Sequence, residues 1–397
     1  MEWKEVRLGD VCSELSDGLH KAPKFIVNGE YIFVNAKNLY NGYILDNDPT
    51  KKTSHEEYLK YKKPLGKHSI LYSIDGTIGN IAKYRGEKCV LGKGACYINC
   101  NPKIVESSYL YYQLQSPHFK SYIHLMSTGS TIKHISLKTM RDYVFELPSL
   151  EDQRRIASIL SSLDRKIELN NKINADLEEM AQAIFKNWFV DFEPFKNGKF
   201  VDSELGMIPE GWKVGSPYEY VKVVYGAPYK SAKFNDNGEG LPLIRIRDLK
   251  DCNPQFYTPE ILPQTEYVNM GDIVAGMDAE FVPHIWKGNT GLLNQRVCKL
   301  MPQQTSISNL FVLYLMKPEL EFVQSYKTGT TVSHLGKADI DKFVVLLPPL
   351  EVVEECSNIL DSILQRIKNL SAESSRLSLL RDTLLPRLMS GELEVPE

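Results

Sequence analysis

One short stretch occurs twice in the chain, and this repeat limits the possible folds more than any other feature. "TGSTIKHI" at residues 128–135 returns as "TGTTVSHL" at residues 328–335, displaced by 200 residues in a chain of 397. Between residues 128–167 and 328–367, thirteen of forty positions are identical without a gap. Such a repeat predicts two similar units rather than one undivided domain.

The likeness is fainter upstream of the repeated stretch. "FVNAKNL" (33–39) parallels "LIRIRDL" (243–249), and "ILYSID" (70–75) parallels "IVAGMD" (273–278). Each half therefore consists of a variable domain followed by a more similar tail. We expect four segments, at residues 1–150, 151–205, 206–350 and 351–397.

The two tails have the apolar pattern of long helices. No glycine or proline interrupts residues 151–189 or 351–385. Apolar residues recur there with a period of about 3.5–3.6, which is typical of helices that pair in a coiled coil. The alternative is two amphipathic helices that each lie on their own domain. The predicted pairing residues are Ile156, Leu163, Ile167, Leu177 and Ile184 in the first tail, and Ile363, Ile367, Leu370, Leu377 and Leu384 in the second.

Connectivity predicts how such helices would run. The first helix ends near Phe189, and "IPEGWKV" (208–214) already begins the second domain. The second helix must therefore run back, which gives an antiparallel pair with a domain at each end and a pseudo-two-fold axis. Asn170 lies in the apolar seam if the heptad register holds, where it can fix orientation. If the seam drifts at that point, Asn170 is exposed.

The variable domains are predicted to combine a curved sheet with peripheral helices, in the α+β class. "KHSILYSIDGTIGNIAKY" (67–84) alternates apolar residues around Asp75-Gly76, which indicates a hairpin. Residues 107–126 and 308–326 each resemble a helix broken by a proline before a second short helix.

Charge and composition leave DNA binding possible. The net charge is −3, yet residues 1–150 hold 20 Lys+Arg against 15 Asp+Glu, a net of +5. Local rather than global positive charge decides phosphate contact.

There is no apolar leader at residues 1–11 and no apolar run of membrane-spanning length. Seven scattered cysteines without a zinc-ligand spacing favour a reducing cytoplasm and no metal site.

Four signatures in order carry a resemblance to a known family. They are "LPSLEDQRRIASILSSLD" (147–164), "AIFKNWFVDFEPF" (183–195), "LGMIPEGWKV" (205–214) and "LLPRLMSGELEV" (384–395). Over its whole length the chain resembles the specificity subunit of type I restriction-modification enzymes. One departure is "LPPLEVVEECSNIL" (347–360), where the family usually shows Gln-Arg.

The resemblance implies the fold and the partners. The variable domains would be two target recognition domains, and the long helices the conserved regions that separate them. The chain would bind double-stranded DNA and assemble with two adenine methyltransferase (M) subunits. ATP-driven restriction-translocase (R) subunits would join through that complex.

The residues themselves indicate no catalytic chemistry. "NPQF" (253–256) lacks the second proline of an adenine methyltransferase motif, and no glycine-rich nucleotide loop or Walker motif is present. His134 and His334 belong to the repeated stretch and have no evident serine–acid partner. We therefore expect a non-catalytic subunit without a cofactor.

Base readout requires side chains with directional donors and acceptors in the grooves. "RIR" (245–247) would place two arginines on one face of a strand, while Asp75 before Gly76 could equally be a turn residue. The candidates in the first domain are Lys37, Asn38, Ser73, Asp75, Thr77, Asn80 and Lys83. The candidates in the second domain are Arg245, Arg247, Asp248, Asp278, His284 and Lys287.

The repeated stretch has two interpretations. Gly129 and Gly329 could simply form tight turns capped by threonines. We favour contact with the DNA backbone, which has the same chemistry at both half-sites, because hydroxyl and amide groups are common phosphate ligands. The candidate residues are Thr128, Ser130, Thr131, Lys133, Thr328, Thr330 and Thr331. The alternative function for the whole chain is a coiled-coil scaffold whose end domains bind proteins.

Overall fold

The computed structural model describes residues 3–128, 133–327 and 334–395. The chain combines helices with sheets, as predicted, and two of its helices are 40 residues long. It divides into two compact units. The first unit comprises Met1–Arg165 with Leu377–Glu397, and the second comprises Lys166–Arg376.

The long helices preserve the repeat, since they begin 200 residues apart. Ser149 caps the first of them, accepting a hydrogen bond from the backbone N–H of Asp152 at 3.2 Å. Pro349 stands in the corresponding place before the second. The helices of the described segments are α1 (His55–Tyr61), α2 (Ser107–Gln113), α3 (Pro117–Met126), α4 (Leu137–Arg141), α5 (Leu150–Phe189), α6 (Asn309–Lys327), α7 (Lys337–Ile340) and α8 (Leu350–Met389).

The first unit contains a four-stranded antiparallel sheet in the order β2-β10-β7-β8 and a smaller sheet in the order β6-β3-β9. Two further pairs are β1-β11 and β4-β5. The predicted hairpin is formed by β7 and β8. The strands are β1 (Lys4–Arg7), β2 (Cys12–Asp17), β3 (Tyr31–Val34), β4 (Leu39–Tyr40), β5 (Tyr43–Ile44), β6 (Lys52–Thr53), β7 (Ser69–Ser73), β8 (Ile81–Lys83), β9 (Cys89–Leu91), β10 (Ala95–Cys100) and β11 (Val144–Leu147).

The second unit repeats the strand order of the larger sheet, and its smaller sheet has one additional strand. Its four-stranded sheets have the orders β15-β22-β19-β20 and β17-β16-β21-β18, and β14-β23 corresponds to β1-β11. In both units the smaller sheet contains one parallel pair, β3-β9 or β16-β21. The strands are β12 (Phe200–Val201), β13 (Ile208–Pro209), β14 (Lys213–Gly215), β15 (Val221–Tyr225), β16 (Leu241–Ile244), β17 (Tyr257–Thr258), β18 (Tyr267–Val268), β19 (Ile273–Gly276), β20 (His284–Ile285), β21 (Gly291–Leu293), β22 (Val297–Pro302) and β23 (Val345–Leu347).

One helix prediction is half wrong. Residues 107–126 are broken as expected, because Ser116 caps a new helix by accepting from the N–H of Phe119 at 3.2 Å. Residues 309–327 instead form the single helix α6 with Pro318 inside it. Lys317 precedes that proline and offers no capping oxygen, so nothing favours a restart of the helix.

Each unit contains parts of both α5 and α8. In the first unit, Asp164 and Arg381 form an ion pair at 2.9 Å. In the second, Asn170 Nδ2 donates to Glu373 at 2.9 Å, and Asn174 Nδ2 donates to Ser371 at 3.1 Å. Within the second unit, residue numbers thus rise along α5 as they fall along α8, so the two helices run antiparallel there.

The predicted pairing residues are buried or half-buried. The fully buried members are Ile156, Ile363, Ile367 and Leu370. The half-buried members are Leu163, Ile167, Leu177, Ile184, Leu377 and Leu384. Asn170 is completely buried, which excludes the exposed alternative and favours the seam position.

No described helix is long and apolar enough to cross a membrane. Across the described ranges there is also no group of three His, Cys, Asp or Glu side chains placed to hold a metal ion.

Candidate nucleic-acid interface

The loop between β7 and β8 is tied to the repeated stretch in the first unit. Asp75 accepts a short hydrogen bond from His134 Nδ1, and its second oxygen lies 4.0 Å from Lys93 Nζ. Backbone hydrogen bonds join the same segments, from Gly76 N to Lys133 O at 3.0 Å and from Ile135 N to the loop at 2.9 Å. The aspartate is therefore shared between an imidazole and a cation.

The second unit builds the same arrangement. His334 Nδ1 lies 2.7 Å from Asp278 Oδ1, and Arg296 Nε lies 3.3 Å from the other carboxylate oxygen. Leu335 N donates to Met277 O at 2.7 Å, as Ile135 does to Ile74 in the first unit. The end of the repeated stretch is thus attached to the same aspartate position in both units.

The cations of this arrangement, Lys93 and Arg296, were missed by the sequence predictions. A signal for them existed, since Lys93 follows Asp75 by 18 residues and Arg296 follows Asp278 by the same 18. Holding Nδ1 of each histidine leaves Nε2 available, because 41% of the His134 side chain and 45% of the His334 side chain are exposed. A fixed imidazole beside a cation is suited to an anionic ligand such as a phosphate.

A short 3₁₀ turn follows the central strand of the smaller sheet in each unit. The turns are Ala36–Asn38 after β3 and Ile246–Asp248 after β16. Asn38 Oδ1 accepts from Asn35 N at 2.9 Å, and Asp248 Oδ2 accepts from Arg245 N at 3.0 Å. The two parallel sequence segments therefore fold in the same way.

The turn geometry separates exposed candidates from buried ones. Lys37 and Arg247 occupy the middle of their turns and are exposed. Asn38 and Asp248 are only 8% and 2% exposed. Their oxygens cap the turn, so Asn38 and Asp248 hold its backbone in place. Contact of these two residues with bases stays a prediction. Burial raises the pKa of Asp248 despite the nearby charge of Arg245.

The prediction of two arginines on one strand face is wrong. Strand β16 ends at Ile244, and the chain then enters the 3₁₀ turn. The Arg245 guanidinium packs 4.3 Å from the Phe256 ring centroid and lies 3.5 Å from Asp248. Arg245 is therefore half-buried and only Arg247 faces outward, because the capping aspartate bends the backbone after the strand.

Two further candidates join the turn to the loop in the first unit. Asn80 Nδ2 donates to Ala36 O at 2.8 Å, and Asn80 N donates to Ser73 Oγ at 2.8 Å. Ser73 is fully buried, so the predicted base contact by its hydroxyl is not possible without rearrangement. Thr77 is exposed on the same loop.

In the second unit, a Cβ on Gly276 would stand 3.1 Å from Ile246, so the turn and the loop are adjacent there too.

Three predicted readers are engaged elsewhere. Lys83 Nζ lies 4.4 Å from the Tyr111 ring centroid, and burial lowers the pKa of this lysine. Lys287 Nζ forms an ion pair with Glu178 of α5 at 2.7 Å. Burial also lowers the pKa of His284, which lies 3.7 Å from Glu280. These contacts engage the charged groups of Lys83 and Lys287, whereas His284 Nε2 is buried and has no hydrogen-bond partner among the described residues. Base contact by these three residues stays a prediction.

The described part of the repeated stretch borders a basic cavity. Thr128 is exposed, and its backbone exchanges hydrogen bonds with His134 at 3.1 and 2.8 Å. Lys133 is exposed and lines a cavity of about 410 Å³ together with Lys120, His124 and Asn80. The remaining predicted phosphate ligands, Ser130, Thr131, Thr328, Thr330 and Thr331, lie outside the described residues.

Comparison with known proteins agrees with this duplicated architecture. The family model described as type I restriction modification DNA specificity domain matches residues 1–179 and 209–377. The chain is 28% identical to the type I restriction enzyme MjaIX specificity subunit of Methanocaldococcus jannaschii, over 94% of this chain and 86% of that protein. It is 23% identical to the HindI specificity subunit of Haemophilus influenzae, over 99% of this chain and 100% of that protein.

A solved structure has the same fold. The S subunit of a type I restriction-modification system from M. genitalium aligns with a TM-score of 0.53 at 17% identity, covering 98% of this chain and 96% of that one. The family model matches both halves of the sequence, each containing one Asp–His pair. The chain therefore belongs to the family of type I restriction-modification DNA specificity subunits.

Proposed function

We propose that each unit reads one half of a bipartite, asymmetric DNA target. The observation that carries this proposal is the duplicated site, in which an exposed basic turn residue lies beside a loop pinned by a shared Asp–His–cation contact. A site built twice with one architecture but different exposed side chains suits a ligand with a constant backbone and a variable sequence.

The exposed candidates divide by role. Lys37 and Arg247 contact bases, because they project from equivalent turns and carry donors suited to guanine. Lys133, Thr128 and the hydroxyl residues of the repeated stretch contact phosphates. The excess positive charge of residues 1–150 supports backbone contact in the first unit.

The remaining candidates position these readers. Asp75 and Asp278 hold the histidines of the repeated stretch, while Asn38, Ser73, Asn80 and Asp248 hold the turns and loops. A buried positioning residue alters recognition through its neighbour rather than through a base.

The helices α5 and α8 form an antiparallel coiled coil that fixes the distance between the two half-sites. Two recognition domains, at residues 1–150 and 206–350, stand at its ends, related by a pseudo-two-fold axis. Their interdomain segments, 151–205 and 351–397, dock two methyltransferase subunits, and restriction-translocase subunits join through that complex. The antiparallel hydrogen bonds of Asn170 and Asn174 support this arrangement.

The chain itself is a non-catalytic subunit in this proposal, and methylation and cleavage belong to its partners. The competing proposal, a scaffold whose end domains bind proteins, predicts a different response to salt. Neutralising phosphates releases counterions, so DNA affinity falls with a log–log salt slope of about −0.9 per phosphate contacted. A neutral protein interface has no such slope.

The test measures binding of target DNA by the chain assembled with its methyltransferase subunits, over a series of salt concentrations. The methyltransferase alone serves as the control. A steep slope and sequence preference that appear only when this chain is present support the proposal. An affinity independent of the chain would contradict it.

A further inference from the structure

The basic cavity of the first unit is built from helix α3, the loop between β7 and β8, and the end of the repeated stretch. Its volume is about 410 Å³. The loop contributes Ile78, Gly79 and Asn80, and the repeated stretch contributes Lys133. The spacing of the α3 residues places them on one face of that helix. They are Lys120, Ile123, His124 and Ser127.

No carboxylate neutralises the positive charge of this cavity. Its described lining contains Lys120, His124 and Lys133 but no aspartate or glutamate. None of these three side chains forms an ion pair or a hydrogen bond with another described residue. Lysines are usually solvated on protein surfaces, so the charge alone does not distinguish a binding site from an ordinary surface.

A buried hydroxyl adds a second, independent feature. Tyr72 of β7 lines the same cavity and is only 1% exposed. Its hydroxyl lies beside Gly79, since a Cβ on Gly79 would stand 3.7 Å from Tyr72 Oη. The hydroxyl has no hydrogen-bond partner among the described residues, yet it opens to the cavity, whereas Asn170 Oδ1 is sealed in the core. Burial raises the pKa of Tyr72, so the hydroxyl keeps its proton and can donate. Such a donor is costly unless a ligand or water accepts from it.

The second unit has no such hydroxyl at the corresponding place. Ala275 replaces Tyr72 in the parallel segments 70–75 and 273–278, and Gln324 replaces His124 at an offset of 200. Gln324 Oε1 accepts from Phe281 N at 2.9 Å, and the Phe281 side chain is fully buried. The loop after β19 is therefore attached to α6 at the place where the first unit has its cavity.

A lysine at this place in the second unit has a carboxylate partner. Lys327 stands at the position of Ser127, at an offset of 200. Its Nζ lies 2.7 Å from Asp339 and donates to His334 O at 2.8 Å. Thr139 stands at the position of Asp339 in the first unit. The duplication thus supplies an internal reference in which the positive charge is neutralised within the protein.

We propose that the basic cavity binds a phosphate group, supplied as one backbone phosphate of the DNA at the first half-site. The Tyr72 hydroxyl donates to a phosphate oxygen, and Lys120 and Lys133 neutralise its charge. Ile78 and Ile123 pack against the attached sugar. Hydroxyl and lysine side chains are common phosphate ligands. DNA is the favoured source because Lys133 belongs to the repeated stretch, whose other polar residues are proposed to contact the backbone. The assignment to DNA rests on the proposed function, whereas the phosphate site itself does not.

Two variants test the site in the chain assembled with its methyltransferase. Tyr72→Phe removes only an unpaired hydroxyl, so it should melt at the same temperature as the wild-type chain or a higher one. Tyr72→Phe and Lys120→Gln should each weaken binding of target DNA about five- to tenfold. Lys120→Gln should also make the log–log salt slope shallower by about 1. The methylated sequence should stay the same, because a phosphate contact carries no sequence information.

Methylphosphonate linkages, which remove the charge of single phosphates, test for direct contact. Placed one at a time in the target DNA, one linkage within one half-site should weaken binding by the wild-type chain but should weaken binding by Lys120→Gln much less. Lys103→Gln is the matched control and should respond as the wild-type chain does. Lys103 is exposed and follows β10, whose Asn99 pairs with Ser69 at the end of β7 away from the cavity loop.

A free phosphate ester has the same chemistry as the DNA backbone, and calorimetry with thymidine monophosphate and the full chain tests this source. Thymidine, which lacks the phosphate, is the chemical control. Saturable binding of the monophosphate that is lost in Tyr72→Phe, with the DNA affinity of both variants unchanged, would assign the site to a free phosphate ester. If the assembled chain bound no target DNA, the proposed function would fail, while this titration would still test the cavity.

The phosphate site would be refuted if Tyr72→Phe and Lys120→Gln bound both target DNA and thymidine monophosphate as the wild-type chain does. An equal loss of DNA affinity in Lys103→Gln would reduce the effect of Lys120 to general charge and would also refute it. Contact with the DNA backbone would be excluded if every methylphosphonate linkage affected Lys120→Gln as strongly as the wild-type chain.

Discussion

Each unit has one carboxylate that contacts both an imidazole and a cation. This contact explains why the repeated stretch has a histidine at the same position in both units. Asp75 and Asp278 each fix Nδ1 of a histidine, so the ring presents Nε2 outward. The histidine was visible in the sequence as part of the repeat. Lys93 in "GKG" and Arg296 in "NQR" share no local pattern, and only their common spacing of 18 residues from the aspartate links them.

The two neighbouring arginines of the second turn should behave in opposite ways. Arg247→Ala should leave the free energy of unfolding within about 0.5 kcal/mol, as at other exposed sites. If the side chain contacts guanine in bidentate fashion, the substitution should cost about 1–3 kcal/mol in binding target DNA.

Arg245→Ala is the matched control within the same turn. It removes the contact with Phe256 and leaves the buried Asp248 carboxylate without its cation, so it should lower stability by about 0.5–2 kcal/mol. Urea unfolding and DNA affinity measured on both variants separate the roles. The assignment would be reversed if Arg245→Ala kept its stability but no longer recognised target DNA, while Arg247→Ala bound target DNA as the wild-type chain does.

His284 should make stability depend on pH. Burial lowers its pKa in the folded protein below the ordinary value of about 6.5, so folding favours the neutral ring. The stability from this group is present above about pH 6.5 and is lost as pH falls through the folded pKa. Urea unfolding between about pH 7 and 5 should show a smaller decline for His284→Gln than for the wild-type chain. The exposed His124→Gln variant should retain the wild-type decline, and a parallel decline in all three proteins would exclude His284 as the cause.

At the scale of single elements, periodicity was the most reliable signal. The long helices were predicted at residues 151–189 and 351–385 and are found at Leu150–Phe189 and Leu350–Met389. Their length and regular apolar spacing leave few alternatives. Short elements depend on single side chains instead, as Arg245 shows: a capping aspartate three residues later converts an apparent strand into a turn.

The centre of the α5–α8 contact in the second unit is polar. Asn170 Oδ1, Asn174 Oδ1 and Ser374 Oγ are buried and accept no hydrogen bond within the described segments. Unpaired polar atoms of this kind cost stability but can fix the orientation and register of paired helices. The sequence indicated Asn170 for this role but not Asn174 or Ser374.

Replacing one polar pair should therefore stabilise the protein. The double variant Asn174→Leu with Ser371→Ala removes both partners of one hydrogen bond, so no new unpaired group is created. We expect the free energy of unfolding to rise by about 1–2 kcal/mol, as for other exchanges of buried polar pairs by apolar residues. Asn174→Leu alone, which leaves Ser371 without its donor, should gain less. A double variant less stable than the wild-type chain would show that Asn174 and Ser371 contribute stability through packing, rather than only fixing the orientation of the helices.

At the scale of the whole molecule, the repeat predicted two similar units. The strand order of the larger sheet is the same in both units, as expected for a sequence written twice. The boundaries of the two units were harder to predict from the sequence, because the first unit also includes Leu377–Glu397. Contacts such as the ion pair of Asp164 with Arg381 are far apart in sequence and leave no local pattern.

The duplication predicts the behaviour of half a chain. Residues 1–205, produced with the methyltransferase subunit, lack the part of α8 that completes the first core, including Leu385 and Met389. A second copy of α5 should take its place, giving a two-fold dimer that directs methylation to a palindrome of one half-site. Assembly should be weaker, since Phe185 and Phe189 replace smaller residues at an offset of 200.

The mass of this half-chain in solution and the sites that it directs to be methylated are the measurements. The full-length chain serves as the control for the parent site. A monomer, or a dimer that still directs methylation to the asymmetric site, would exclude the exchange of one helix for the other.

Mapping of methylated bases in a host that carries the chain with its methyltransferase tests the central claim most directly. Lys37→Ala and Arg247→Ala alter equivalent turns in different units. The wild-type chain should direct methylation to a two-part asymmetric sequence. Lys37→Ala should change or relax one part only, and Arg247→Ala should change only the other. Alterations of the same part by both variants, or an unchanged target in both, would contradict the reading of one half-site by each unit.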